Sequence, residues 1–207
     1  MSGRFVTFEG GEGSGKSTQL QRLAARLREA GEDLVLVREP GGTPLAERIR
    51  ALLLDPGFAP DPMAEVYLME AARADLVVSV IRPALTAGRT VLCDRFADST
   101  LAYQGGGRGI DCDLLVTFND AATGGLIPDL TLLFDLDPRI GLARRDAHGA
   151  TNRLDREPLA FHERVRAEYL RLAAAEPGRV LVIDASLAPE ALEARTWACY
   201  RKAQPVR

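Results

Sequence analysis

Residues 10–17 read Gly-Gly-Glu-Gly-Ser-Gly-Lys-Ser, a match to the spacing G-x-x-x-x-G-K-[ST]. Glycines let the backbone curl so that successive N–H groups point inward, and a helix that starts beside them adds its positive end. Such a loop binds the phosphates of a nucleoside triphosphate. Lys16 would reach the β- and γ-phosphates, and Ser17 would ligate Mg²⁺. A glycine-rich turn with an incidental lysine is the alternative, but the chain contains only one other lysine, Lys202.

Charged side chains also follow apolar runs at three points, namely at Glu9, Arg38-Glu39 and Asp94-Arg95. Ligands of open parallel sheets bind at the carboxyl ends of the strands. Phosphoryl transfer between two anions needs cations at both donor and acceptor, and the planar fork of arginine suits phosphate oxygens. We therefore expect Arg38 and Arg95 to contact an anionic ligand, with a solvated or salt-bridged role as the alternative. Asp94 is either a ligand of Mg²⁺ or its waters, or a helix cap or partner of Arg95.

These residues require a scaffold of alternating strands and helices. Apolar runs predict strands over residues 4–8, 34–37, 90–95, 130–135 and 180–184. Helical spacing and capping signals predict helices over residues 18–30, 43–54, 63–85, 96–104, 111–122, 138–145, 158–175 and 189–200. The glycine-rich stretch 105–109 is expected to be a mobile loop. The alternation predicts an α/β fold, a P-loop doubly wound sandwich of about five parallel strands with helices on both faces.

Composition limits the remaining possibilities. The 207 residues, 46% of them hydrophobic, have the size of one globular domain, so residues 1–207 are expected to form a single domain. The net charge of -3 argues against a nucleic-acid or membrane surface, and no apolar run approaches the length of a transmembrane helix. Three cysteines without metal-ligand spacing indicate reduced thiols, so we expect a cytoplasmic protein. The predicted helix 63–85 is apolar on most sides, which indicates either a dimer interface or an intramolecular core.

Four motifs taken together resemble the bacterial thymidylate kinases. They are Phe8-Glu9-Gly10, Arg38-Glu39-Pro40-Gly41-Gly42, Ala71-Ala72-Arg73 and the segment 94–104, Asp-Arg-Phe-Ala-Asp-Ser-Thr-Leu-Ala-Tyr-Gln. The resemblance spans essentially the whole chain, and segment 94–104 is its most specific part. It implies a homodimer that transfers the γ-phosphate of ATP to dTMP, giving dTDP and ADP for dTTP synthesis, with Mg²⁺ as cofactor and ATP as co-substrate.

The resemblance also implies a role for individual residues. Arg38 and Arg95 would hold the dTMP phosphate, while Glu9 and Asp94 would organise Mg²⁺ and the acceptor. The implied ATP-binding residues are Gly10, Gly11, Glu12, Gly13, Ser14, Gly15, Lys16, Ser17, Thr18 and Arg144. The implied acceptor pocket comprises Arg38, Pro40, Met69, Arg73, Arg95, Ser99, Thr100, Tyr103 and Gln104. Within it, Arg73 and Thr100 would hydrogen-bond the thymine edge, and Tyr103 would crowd a ribose 2′-hydroxyl.

Members of this family take a catalytic arginine either from the phosphate loop or from a lid. The loop segment Glu12-Gly13-Ser14 contains no arginine, so the chain resembles the lid-arginine type. The segment of residues 144–157, here called the lid, contains Arg153 and Arg145 as first and second candidates. Residues 152–155, Asn-Arg-Leu-Asp, resemble the lid motif, although Asn152 stands where an acid is common.

One further departure concerns the acceptor. Met69 stands where the family usually has a phenylalanine that stacks on thymine, and a methionine lacks the flat face of a ring. Tyr67 or Phe96 is a candidate to compensate. Another nucleoside monophosphate or a sugar acid therefore remains the alternative acceptor. A nucleotide-binding switch with little turnover is a third hypothesis, but the chain lacks the guanine-reading segment Asn-Lys-x-Asp.

Overall fold

The structure is a computed structural model, and it describes residues 3–147 and 153–202. Five parallel strands form one sheet in the order β2-β3-β1-β4-β5. The strands are β1 (Phe5–Gly10), β2 (Leu34–Arg38), β3 (Thr90–Asp94), β4 (Leu130–Asp135) and β5 (Val180–Asp184). The predicted five-stranded parallel sheet is therefore confirmed.

The helices lie close to where periodicity and capping chemistry placed them. They are α1 (Lys16–Glu29), α2 (Pro44–Leu54), α3 (Pro62–Leu76), α4 (Arg82–Thr86), α5 (Ala97–Thr100), α6 (Cys112–Thr123), α7 (Pro138–Ala147), α8 (Leu159–Ala175) and α9 (Pro189–Lys202). A π-helical turn, Val77–Ile81, joins α3 to α4, so the predicted helix 63–85 is essentially continuous. Thr43 caps α2, because its hydroxyl accepts a hydrogen bond of 3.1 Å from the N–H of Ala46.

The sheet is covered on both faces, and the alternation along β1 decides which side chains each face receives. Val6 and Phe8 point to the face packed by α1 and α9, whereas Phe5 points to the face packed by the helix of residues 62–86. Glu9 points to the same face of the sheet as Phe5 and Thr7. Its carboxylate therefore lies between the sheet and helices α5 and α8.

The glycine run after α5 was predicted wrongly. Residues Leu101–Gly107 form a π-helical segment rather than a mobile loop. A Cβ on Gly107 would lie 2.5 Å from a ring carbon of Phe161, and one on Gly106 would lie 2.6 Å from the Cβ of Glu168. The glycines therefore let this segment pack directly against α8, which their loop-like composition does not reveal.

The long helix is mainly part of the intramolecular core. Val66, Leu76, Val77 and Ile81 are fully buried against the rest of the chain. Tyr67 and Val78 lie on the helix too, but their side chains are exposed. Within the described part of the chain, no helix combines the length and apolarity needed to cross a bilayer.

Candidate active site

The phosphate loop, residues 10–17, joins β1 to α1 at the carboxyl edge of the sheet. Gly10, Gly13 and Gly15 have φ values of 138°, 64° and 84°, which favour glycine. A Cβ on Gly13 would lie 2.1 Å from the carbonyl oxygen of Gly141 on α7. Gly15 occupies the N-cap of α1, and its lack of a side chain leaves the first N–H groups of the helix uncapped. The loop thus has the curled backbone and the helix end that bind phosphate.

Lys16 and Ser17 project from the start of α1 into a cavity of about 210 Å³. The Nζ of Lys16 donates to the carbonyl oxygen of Gly11 at 2.8 Å. Burial, together with the positive charge of Arg95, lowers the pKa of Lys16 to about 8. The hydroxyl of Ser17 donates directly to the carboxylate of Asp94.

Ser17 and Asp94 fit a Mg²⁺ ion. Their oxygens touch each other at the phosphate loop, and both residues line the cavity. Among residues 3–147 and 153–202, no group of three His, Cys, Asp or Glu side chains could form a complete metal cage. Mg²⁺ does not require one, because it is commonly bound by one or two carboxylates together with substrate phosphates and water.

Arg95 connects the end of β3 to the phosphate loop. Its guanidinium lies 2.7 Å from the carboxylate of Glu12 and stacks over the ring of Tyr103, 4.8 Å from the ring centre. The Tyr103 hydroxyl donates to the same carboxylate oxygen at 2.9 Å. Burial alone would raise the pKa of Glu12, but the charges of Arg95 and Lys16 outweigh it and lower this pKa to about 2.

The backbone at Arg95 is held in an unusual conformation. Outside glycine, Arg95 is the one described residue with a positive φ, at 71°. The next residue, Phe96, donates its N–H to Glu9 at 2.7 Å, which secures this turn. Glu9 also accepts hydrogen bonds from Ser99 Oγ at 2.6 Å and Tyr169 Oη at 2.7 Å.

Glu9 is therefore placed behind the cavity wall rather than in the cavity. Its side chain is fully buried, and burial and the charge of Asp98 raise the pKa of Glu9 to about 7. The sequence-based interpretation put Glu9 beside Mg²⁺ and the acceptor. The described geometry instead gives it three protein donors, one of which holds the turn that carries Arg95.

Arg73 and Thr100 also lie behind the wall. The guanidinium of Arg73 is fully buried and pairs with Glu39 at 2.8 Å and Glu70 at 2.6 Å. It donates to the hydroxyl of Thr100 at 3.0 Å and to the side chain of Asn119. Neither Arg73 nor Thr100 is among the residues that line the cavity, but Glu39, the partner of Arg73, does line it. Their contact with a thymine edge stays a prediction.

Most other residues that the sequence singled out do converge on the cavity. Those lining it are Glu12, Lys16, Ser17, Arg38, Pro40, Met69, Asp94, Arg95, Ser99, Tyr103, Gln104, Arg145 and Arg153. Arg38 lies at the edge and pairs with Glu47 at 2.8 Å. The cavity therefore brings Lys16 of the phosphate loop together with Arg38 and Arg95 of the strand ends.

The lid arginines contact three different parts of the protein. Arg144 donates to the carbonyl oxygens of Gly13 and Ala185, at 3.3 and 3.5 Å. Arg145 pairs with Asp155 at 2.9 Å. Arg153 donates to the carboxylate of Glu65 on α3 and to the carbonyl oxygen of Leu53 on α2. Asn152 and the rest of the lid segment 148–152 lie outside the described residues.

The family model described as thymidylate kinase matches residues 8–196 of the chain. This chain belongs to the thymidylate kinase family. It is 54% identical over 196 residues to the thymidylate kinase of Deinococcus radiodurans, covering 95% of each chain. It is 56% identical over 195 residues to that of Thermomicrobium roseum, covering 94% of this chain and 92% of the relative.

A solved structure supports the same assignment. The crystal structure of thymidylate kinase from Ehrlichia chaffeensis superposes with a TM-score of 0.80 at 35% identity, covering 97% of this chain and 99% of that one. The resemblance and the P-loop doubly wound fold predicted from the sequence are thus confirmed, as is the enzyme class, a phosphate-transferring kinase. Membership of the thymidylate kinase family supports ATP-dependent phosphorylation of dTMP to dTDP.

Neither aromatic residue proposed from the sequence to compensate for Met69 is among the residues that line the cavity. Met69 lines the cavity. Phe96 is buried edge-to-face against Phe5, and Tyr67 is exposed beside Phe118. Among the described residues that line the cavity, the aromatic one is Tyr103.

Sequence reasoning missed three polar residues that shape this thymidylate kinase cavity. Arg50 lines it and donates to the carbonyl oxygen of Pro40 at 2.8 Å. Glu65 lines it and accepts from Gln104 at 2.7 Å, and Tyr169 reaches Glu9 from α8. Arg50 had a detectable signal, because it follows the buried Ala46 by one helical turn and so shares the face of α2 that packs inward.

Proposed function

We propose that this chain transfers the γ-phosphate of ATP to dTMP, giving dTDP and ADP, with Mg²⁺ and a lid arginine assisting. The observation that carries the proposal is the pair Arg95–Glu12. It joins the strand-end arginine to the phosphate loop at 2.7 Å, inside one cavity that Lys16 also lines. A donor phosphate on the loop and an acceptor phosphate on Arg95 would therefore be neighbours, as in-line transfer requires.

The donor side would be held by the phosphate loop. Its N–H groups and the start of α1 would hold the phosphates of ATP, and Lys16 would leave the carbonyl oxygen of Gly11 to contact the β- and γ-phosphates. Arg144 lies between the loop and the segment after β5, which suits the nucleoside end of ATP. When bound by Ser17 and Asp94, Mg²⁺ would neutralise negative charge on the phosphates.

The acceptor side would be held by arginines that line the same cavity. Arg95 and Arg38 would grip the dTMP phosphate with charge-assisted hydrogen bonds, and Arg50 is a third cation that lines the cavity. Arg95 would exchange the carboxylate of Glu12 for the phosphate. The sugar and base would lie against the side chains of Pro40, Met69, Ser99, Tyr103 and Gln104.

The lid would complete the site. Arg153, with Arg145 as the second candidate, would stabilise charge on the transferring phosphoryl group, a contribution of roughly 10³–10⁵ in rate. A lid that closes over both substrates also excludes water from the γ-phosphate. The product dTDP would serve dTTP synthesis, and the cytoplasm stays the predicted compartment.

A homodimer remains part of the proposal. Exposed apolar side chains on α3, the following π-helical turn and α6, namely Tyr67, Val78, Leu114 and Val116, support an interface there. Sedimentation velocity would test it. For a homodimer, the molecular mass derived from sedimentation would be about twice the 22.4 kDa of one chain.

The deciding experiment is ADP release from ATP and Mg²⁺ with a panel of acceptors: dTMP, dUMP, dCMP, UMP, AMP, shikimate and none. Fast turnover with dTMP alone is the expected result. Turnover only with another acceptor would support the kinase activity but contradict the proposed thymine contacts. Met69 is the reason that this alternative is tested. Equal ADP release without an acceptor would contradict phosphoryl transfer to a nucleotide.

A further inference from the structure

Glu65 is a buried carboxylate that lines the cavity and accepts four hydrogen bonds. Its Oε1 accepts from Gln104 at 2.7 Å and from Nε of Arg108 at 3.0 Å. Its Oε2 accepts from Arg108 at 3.1 Å and from the lid residue Arg153. Burial would raise the pKa of Glu65, but the hydrogen bonds from Arg108 and Gln104 outweigh it and lower this pKa. Glu65 is therefore an anion at neutral pH.

This contact pairs Arg153 with residues outside the phosphate loop. The side chain of Arg153 is largely buried between α2 and α3, where it donates to Glu65 and to the carbonyl oxygen of Leu53 at 3.2 Å. Neither partner belongs to the phosphate loop. An arginine that stabilises the γ-phosphoryl group must exchange these partners for phosphate oxygens.

The same carboxylate joins the lid to the acceptor pocket. Gln104, which the proposed function places beside the sugar and base, donates to Glu65 from the pocket side. Arg108 pairs with Glu65 and, at 2.9 Å, with Glu157 at the end of the lid. Glu65 and Gln104 both line the cavity, so an acceptor that donates hydrogen bonds to Glu65 would compete with Arg153 for this carboxylate.

We propose that Glu65 is a positioning residue that keeps Arg153 away from ATP until an acceptor in the cavity competes for the Glu65 carboxylate. The proposal rests on the proposed function, in which Arg153 acts at the γ-phosphate. Without Glu65, a free Arg153 would assist water as well as dTMP. In that hydrolysis the water oxygen bonds to the γ-phosphorus, the bond from phosphorus to the bridging oxygen breaks, and ADP, inorganic phosphate and a proton are released.

The test compares acceptor-free ADP release with dTMP-dependent ADP release in Glu65→Gln and in the unaltered chain. We expect the ratio of the first rate to the second to rise at least about tenfold, since a lid arginine contributes roughly 10³–10⁵ when it reaches the phosphates. Glu163→Gln is the matched control, because Glu163 forms an exposed pair with Arg139 at 2.8 Å. Its ratio should stay unchanged.

A second measurement separates positioning from a structural role. Hydrogen exchange of residues 153–158 in the unliganded protein should be faster in Glu65→Gln, while exchange in the sheet stays unchanged. The double variant Glu65→Gln/Arg153→Ala should lose the excess hydrolysis, because the arginine that causes it is absent. Glu65→Asp keeps the charge on a shorter side chain, and its ratio should lie between those of the unaltered chain and Glu65→Gln.

Several outcomes would overturn the proposal. An unchanged ratio in folded Glu65→Gln is one, and excess hydrolysis that persists in the double variant is another. If Glu65→Gln does not fold, an unchanged ratio in Glu65→Asp is decisive. Failure of the proposed function itself is distinguishable, because the unaltered chain would then show no dTMP-dependent ADP release, whereas hydrogen exchange still reports on the Glu65–Arg153 contact.

Discussion

The guanidinium of Arg95 and the carboxylate of Glu12 lie 2.7 Å apart, with the side chains 17% and 15% exposed. This contact places an anion of the phosphate loop between two cations, because the charges of both Arg95 and Lys16 act on Glu12. An incoming phosphate can replace Glu12 at Arg95 without leaving the arginine uncompensated. The phosphate loop and the end of β3 are therefore electrostatically coupled through this pair.

Arg95→Ala should impair the use of dTMP far more than the binding of ATP. A hydrogen bond to a charged group contributes about 1.5–3 kcal/mol, so kcat/KM for dTMP should fall by roughly 10- to 150-fold. Steady-state kinetics with varied dTMP and equilibrium titration with ATP would measure the two effects. Arg171→Ala is the control, because Arg171 is exposed and, within the described part of the chain, pairs with Glu168 on its own helix. Unchanged dTMP kinetics in Arg95→Ala would contradict the assigned role.

The two lid candidates can be ranked by their effects on kcat. Arg153→Ala should lower kcat at saturating ATP and dTMP by roughly 10³–10⁵-fold, because transition-state charge would lose its partner. Arg145→Ala should lower kcat less, because Arg145 is paired with Asp155, another residue of the lid. Rapid-quench measurement of the transfer step would check both variants. The reverse order of effects would make Arg145 the catalytic arginine.

Replacing Arg73 should lower the free energy of unfolding more than replacing an exposed arginine does. Arg73→Met would leave Glu39 and Glu70 without their cation, and removal of one partner from a buried ion pair costs about 3–5 kcal/mol. Urea unfolding followed by circular dichroism would measure the loss. Arg139→Met should cost less than about 1 kcal/mol, because Arg139 forms only surface pairs. Equal losses in the two variants would refute the buried-network interpretation.

Glu9 should make the stability of the protein depend on pH near neutrality. Its pKa in the folded state is about 7, above the value of 4.5 expected when unfolded, so between these pH values the folded state binds the extra proton. The stabilisation that protonated Glu9 gives to the folded state is therefore present at low pH and is lost as the pH rises through 7. The shift corresponds to at most about 3 kcal/mol, at 1.36 kcal/mol per pKa unit.

The measurement is the free energy of unfolding in urea at pH 5, 6, 7 and 8 for the unaltered chain and Glu9→Gln. Relative to Glu9→Gln, the unaltered chain should lose stability across this series, because the amide does not titrate. A constant difference, or a gain in stability with rising pH, would show that Glu9 is ionised throughout.

The sequence by itself determined the scaffold and the edge at which the site forms. The five strands, the phosphate loop and the cap at Thr43 depend on short-range patterns of apolar, glycine and hydroxyl residues. Because the strands are parallel, their carboxyl ends share one edge, so Asp94 and Arg95 had to lie near Lys16. Those positions follow from local chemistry and topology alone.

Only the tertiary structure decided which side chains face the cavity and which support it from behind. Tyr169 reaches Glu9 across 160 positions in the chain, and Arg153 reaches Glu65 across 88. Arg73 carries the charge of a ligand-binding residue, yet it lies in a buried network. Such outcomes depend on side-chain direction and on the packing of distant helices, which residue spacing along the chain does not encode.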